Sequence, residues 1–94
     1  MLRIEALYID DDVLGKVEGK HGLRILDIEE ALVYSRERCF HKVGGGQIRV
    51  LLQTSVGEYV VAFLTNLEGG EWRLNSARKM TPNERRFFKS AKKG

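Results

Sequence analysis

The sequence predicts a small α+β domain: two N-terminal helices, a four-stranded antiparallel sheet and a C-terminal helix. Three observations predict it. Apolar residues recur at helical spacing near both ends of the chain. Between them, residues 47–77 hold strand-length apolar or alternating blocks separated by short, glycine-containing turns. Consecutive strands joined by such short loops pair antiparallel, because a parallel pair needs a longer crossover.

The first helix starts at Asp10, Asp11 and Asp12, side chains that cap helix N-termini and suit the positive end of the helix dipole. Val13, Leu14 and Val17 form its apolar side, while Gly15 and Gly19 weaken it. Gly22, just past Lys20 and His21, is a helix stop. Ile25, Ile28, Ala31 and Leu32 carry the second helix, with Asp27 and Glu30 at capping-box spacing. The segment from Ser35 to Val43 is polar apart from Cys39, Phe40 and Val43, and reads as an edge strand. Gly44, Gly45 and Gly46 make a hairpin turn rather than a phosphate cradle, since no GxxxxGK[ST] pattern follows.

Gln47–Thr54 and Glu58–Thr65 are strands on either side of Ser55, Val56 and Gly57. The second is apolar on both faces, so it belongs at the centre of the sheet with both faces covered. Residues 66–70 are a loop and Glu71–Ala77 the next strand. In the last helix Thr81 caps, Pro82 takes the first helical position and Glu84 closes a capping box. Phe87, Phe88 and Ala91 lie on its apolar side, and residues 88–94 are expected to end as a frayed basic tail. Strand periodicity then sorts the side chains. Ile48, Val50 and Leu52 share one face, and Arg49, Leu51 and Gln53 the other; Trp72 and Leu74 oppose Arg73 and Asn75. With the helices mainly on one side, Arg49, Gln53, Arg73 and Asn75 would line an open face.

Composition sets the limits of function. The 94 residues make one domain, too short for a dinucleotide-binding fold, and 43% hydrophobic content excludes disorder. The longest apolar run, Tyr59–Leu64, is far too short for a membrane span, and the acidic start lacks a leader's apolar core, so a cytoplasmic protein is expected. The lone Cys39 can form no internal disulfide and no zinc spacing. Charge is unevenly spread: residues 1–34 hold four Lys/Arg against eight Asp/Glu, whereas residues 71–94 hold eight against two. The basic end suits a polyanion, although a solvated helix face would look the same.

No GxSxG, HExxH or paired-cysteine motif is present, and no cofactor or metal is expected. The remaining reactive groups suit RNA cleavage without metal. That reaction needs a base for the ribose 2′-hydroxyl, cations for the pentacovalent phosphate and a proton for the leaving 5′-oxygen. His21 and His41 can exchange protons, Arg49, Arg73 and Arg78 can fork onto phosphate oxygens, and Trp72, Tyr59 or Tyr34 can stack a base. Each has a plainer reading: His21 as a cation at a helix C-terminus, His41 as surface, Arg49 as an ordinary water-facing strand residue and Trp72 as core.

Lys20-His21-Gly22, the helix at Ile28-Glu29-Glu30-Ala31, Arg49 with seven residues between it and Gly57, and Trp72-Arg73 with Ser76-Ala77-Arg78-Lys79-Met80-Thr81 and Glu84-Arg85-Arg86 together resemble the BrnT family over about residues 10–88. These are toxins of bacterial toxin–antitoxin pairs. The resemblance implies a RelE-like ribonuclease toxin fold, metal-independent mRNA cleavage and neutralisation by a ribbon-helix-helix antitoxin that also binds operator DNA. By position it implies a catalytic set of Lys20, His21, Arg49, Arg78, Glu84 and Arg85, with Trp72, Arg73, Lys79, Arg86 and Lys89 holding RNA. The sequence departs from the family pattern at Tyr8-Ile9-Asp10-Asp11, where Trp-Asp is usual, at Glu58, where an arginine is frequent, and at Phe87, where a tyrosine is usual. The alternative these departures imply is a weakened or inactive toxin-fold protein that binds nucleic acid or a partner protein.

Overall fold

A computed structural model of the chain describes residues 3–35 and 38–93. Arg36 and Glu37 of the expected edge segment lie outside the described residues, as do Gly94 and the side chains of Lys92 and Lys93 in the basic end. The elements are β1 (Ala6–Tyr8), α1 (Asp11–Gly15) running into a π-helical turn (Lys16–Lys20), α2 (Ile25–Tyr34), β2 (Cys39–Gly44), β3 (Gln47–Gln53), β4 (Tyr59–Glu68), β5 (Glu71–Lys79) and α3 (Pro82–Lys93). No helix among the described residues is long and apolar enough to cross a membrane.

The sheet has the order β1-β5-β4-β3-β2. Strands β2 to β5 form the expected antiparallel meander, with β2 as the edge and β4 in the centre. The fifth strand corrects the four-stranded antiparallel prediction: β1 joins β5 in parallel, Leu7 opposite Trp72. A three-residue strand leaves too little pattern to read. It is held from a distance, by Glu5 and Ala6 backbone N–H groups donating to the Gly70 carbonyl at 2.8 and 3.2 Å and by Ile4 buried in the core.

The N-terminal helices are joined by side-chain capping that the sequence reading placed elsewhere. Asp10 takes the N-cap position of α1 without a side-chain bond, and its carbonyl accepts from Leu14 N at 2.9 Å. The cap of α2 comes from Glu18 in the π-helical turn, whose carboxylate accepts from Ile25 N at 3.1 Å; Asp27 instead approaches Arg24 at 3.9 Å. Gly22, with φ of +65°, makes the turn between the two in the left-handed region that only glycine enters freely.

Helices were expected mainly on one side of the sheet; they flank both. α1, its π-helical turn and α2 cover one face. There Val17, Ile28 and Leu32 pack on Val50, Leu52, Val60, Ala62, Leu64 and Leu74 with no exposed surface. α3 covers part of the other face, burying Phe88 and Met80 against Leu51 and Val61. The reason lies in β3 and β4. Leu51 and Val61 point away from the N-terminal helices, and an open face would leave them wet at about 1.5–3 kcal/mol each. α3 runs to Lys93, and Phe88 packs beneath it at 1% exposure.

One irregularity re-aims β5. Leu64 pairs with Leu74 but Phe63 pairs with Ser76, so Asn75 is an extra residue, a β-bulge. Before it, Trp72 and Leu74 point into the larger core; after it, Ala77 does. A strict two-residue period would send Arg78 to the face of Trp72 and Leu74. The bulge sends it to the face of α3.

Candidate functional site

The α3 face of the sheet collects four polar side chains from four elements. Counting outward from the glycine hairpin, His41 on β2 sits directly opposite Arg49 on β3. Arg49 Nη2 lies 3.0 Å from His41 Nδ1. A guanidinium only donates, so Nδ1 accepts and the imidazole proton sits on Nε2. The ring tilts against Phe87 of α3, centroids 5.3 Å apart. From β5, past the bulge, Arg78 rests over the Phe63 ring at 5.5 Å. From α3 comes Glu84.

The predicted capping box places that glutamate. Thr81 Oγ1 accepts from Glu84 N at 3.2 Å, and Glu84 Oε1 accepts from Thr81 N at 2.8 Å. The same carboxylate receives both prongs of Arg78, Nη1 to Oε1 at 2.7 Å and Nη2 to Oε2 at 2.9 Å, the bidentate geometry that suits a guanidinium. Arg49 Nη1 stands 3.9 Å from Oε2. One carboxylate therefore lies between two arginines. The Arg78 hydrogen bonds hold the Glu84 carboxyl well below the usual range, at about 2, and raise the Arg78 pKa in return. Glu84 is thus a fixed anion and a very weak base. Its side chain is 15% exposed while each arginine remains 36% exposed, so incoming anions reach the cations more easily than the carboxylate. His41, Arg49, Leu51, Asn83, Glu84 and Phe87 enclose a shallow cavity of about 230 Å³ beside this cluster. A larger opening, about 820 Å³, lies where the Gly45 and Gly70 hairpins meet, lined by Trp72, Ile48, glycine backbone and the charged Arg3, Glu5 and Lys42, with no histidine in it.

Of the residues picked out by sequence, the structure brings together Arg49, Arg78 and Glu84. Arg85 and Lys89 flank them on α3, both over the Tyr59 ring at 5.1 and 5.3 Å, and Arg86 donates to Asn83 Oδ1 at 2.6 Å. Lys79 is exposed at the end of β5, and Arg73 is exposed on the same face as Arg78, farther along the strand. Trp72 is 7% exposed, its indole N–H donates to the Arg3 carbonyl at 2.8 Å and it packs in the core, which favours its plainer reading. Lys20 and His21 end the π-helical turn, whose Val17 belongs to the core of the other face. Among the described residues, no hydrogen bond, ion pair or ring contact joins either to Arg49, Arg78 or Glu84. His41 is the residue the sequence reading passed over as surface. Its signal was the hairpin register, which pairs it with Arg49 once the turn is fixed on the glycines.

No protein-family model matches this sequence, and no curated protein matches it by sequence. The architecture, helices on both faces of a small mixed sheet, does have a likeness among solved structures. The crystal structure of the ribonuclease toxin BrnT from Brucella abortus superposes with a TM-score of 0.65, covering 81% of this chain and 96% of that one, at 13% sequence identity. The likeness establishes the fold.

Proposed function

We propose that this chain is an endoribonuclease toxin that cleaves mRNA with side chains alone and is neutralised by a cognate antitoxin of ribbon-helix-helix type that also binds operator DNA. The observation that carries the reading is the convergence of Arg49 and Arg78 on one anion beside His41, on a fold shared with a ribonuclease toxin. In the reaction the ribose 2′-oxygen attacks phosphorus and the P–O5′ bond breaks. The products are a 2′,3′-cyclic phosphate and a 5′-hydroxyl. Arg49 and Arg78 stabilise the pentacovalent phosphate, each guanidinium supplying paired donors to developing charge. His41 takes the 2′-hydroxyl proton at Nδ1, the nitrogen Arg49 leaves when it turns to the phosphate, and water returns a proton to the 5′-oxygen. The proton-handling role expected of Lys20 and His21 passes to His41 in this reading. Arg73, Arg85, Arg86 and Lys89 hold the RNA backbone on the same side of the molecule, and Lys79, which alternates to the other face at the end of β5, reaches it from the edge.

Expression in bacteria tests it: the chain arrests growth, and His41→Ala or Arg49→Ala relieves the arrest. Harmless expression of the unmodified chain would count against the proposal. A second reading is favoured by one observation, the bidentate clasp of Arg78 on Glu84. On that reading the cluster fastens α3 and the chain is an inactive toxin-fold protein that binds nucleic acid or a partner protein. It predicts RNA binding that weakens steeply with salt and no cleavage at any concentration.

A further inference from the structure

The position between Arg49 and Arg78 is filled by a carboxylate that has the charge and the two-oxygen geometry of a phosphodiester. Both Arg78 prongs and the nearer Arg49 nitrogen point at the Glu84 oxygens, 2.7, 2.9 and 3.9 Å away. Among the described residues, only the Thr81 N–H adds a further bond to that carboxylate. We propose that Arg49 and Arg78 form an oxyanion site for the RNA phosphodiester, and that Glu84 is its resident competitor, an internal anion the substrate must displace. The inference rests on the ribonuclease reading of the same site and adds regulation to it.

The argument is one of competing geometry. A guanidinium carries five N–H donors, and the Nη1/Nη2 edge that clasps a carboxylate in two parallel bonds is closed to a phosphate oxygen while the carboxylate stays. Arg78 spends both prongs on Glu84 and a further Nη1 contact, at 3.2 Å, on the Lys79 carbonyl. Phosphate can then take that edge of Arg78 only as Glu84 withdraws. The carboxyl stays ionised across the neutral range, so protonation does not release it. Withdrawal removes the acceptor of the Thr81 N–H and loosens the first turn of α3, while Phe88 keeps the helix body on the sheet. Substrate entry is thereby coupled to the N-terminus of α3. Tethered beside the arginines, the glutamate opposes weakly binding anions in particular; an RNA strand that also reaches Arg85 and Lys89 has the extra contacts to win.

Glu84→Gln separates the two roles of the side chain. Its carbonyl oxygen can still accept from Thr81 N, so the capping box and α3 persist, while its amide group turns donors toward Arg78 and frees the fork. Calorimetry would compare the unmodified chain, Glu84→Gln and Arg78→Ala with two probes, inorganic phosphate and an oligonucleotide whose 2′-deoxy sugars prevent cleavage. The expected result is binding about tenfold tighter to both probes in Glu84→Gln, and weaker binding in Arg78→Ala. Unchanged or weaker binding in Glu84→Gln, with Arg78→Ala still losing affinity, would overturn the competitor role and leave the ribonuclease reading standing. Phosphate binding without oligonucleotide binding in any form would keep the oxyanion site and sink the RNA reading. A second measurement needs no variant: amide exchange at Thr81 in the unmodified chain should speed up when the oligonucleotide binds. Slowing there would mean that Glu84 stays in place, and would overturn the proposal.

Discussion

The two faces of the sheet are built for different ends. The face under α1 and α2 is a dense apolar layer in which Ile28, Leu32, Val50, Leu52, Leu64 and Leu74 have no exposed surface. The face under α3 has a small apolar patch, Leu51, Val61, Met80 and Phe88, and around it a rim of His41, Arg49, Arg78, Glu84, Arg85 and Lys89. The contrast teaches where a chain this short can place reactive groups. A 94-residue domain has little stability to spare, so one face supplies the core and the other carries the clustered charges. The ion pair on the second face adds modestly to stability; its order comes from the capping box and the bidentate fork.

Four predictions press on that contrast. The largest effect belongs to the dense face. Leu52→Ala should cost about 2–5 kcal/mol and unfold the whole chain in one transition, whereas Phe88→Ala should release α3 while the sheet keeps its amide protection. Amide exchange distinguishes them, and a whole-molecule loss of protection in Phe88→Ala would erase the difference between the faces. Next comes catalysis: Arg78→Ala should lower kcat/KM for RNA by about 10²–10³, far beyond what its lost stability would explain. Equal cleavage by the variant would leave the second face with a structural role only.

Third is acid. The folded Glu84 carboxyl sits at about 2 against 4.5 when free, so its pairing stabilises the fold fully above about 4.5 and progressively less as the pH falls toward 2. Unfolding of the unmodified chain and of Glu84→Gln should therefore differ by on the order of 2 kcal/mol at pH 6 and converge near pH 2, since the pair is partly exposed. A constant difference across that range would remove the ion pair from the account. The smallest effect is Trp72→Phe, which loses one hydrogen bond to the Arg3 carbonyl and should cost about 1 kcal/mol without changing RNA affinity, because the ring lies in the dense core. A drop in affinity would move Trp72 back to the binding surface.

Much of the frame was legible in the sequence. The meander from β2 to β5 followed from its glycine turns, and the start of α3 from Thr81, Pro82 and Glu84, because these signals act within a few residues. The central position of β4 followed from its two apolar faces, and the same observation implied a covering for the second face that the one-sided placement of helices ignored. What escaped reading depends on distant or irregular contacts. β1 pairs with a strand more than sixty residues downstream. The Asn75 bulge changes which side Arg78 faces, and no period-two count detects an inserted residue. Arg49, Arg78 and Glu84 could be picked out as residue types, but their meeting depended on that bulge and on the face α3 chose. His41 carried a signal in the hairpin register that a reading of composition passed over.

The division of labour between the faces is tested most directly by incubating a long RNA, in the presence of chelator, with the unmodified chain and with Arg49→Ala. Arg49 is the apter choice because its approach to Glu84 is loose, at 3.9 Å, so folding should survive its removal. The account predicts cleavage by the unmodified chain, a loss of about 10²-fold or more in the variant, and unfolding midpoints that match closely. Intact RNA with both proteins, or equal cleavage by both, would contradict it.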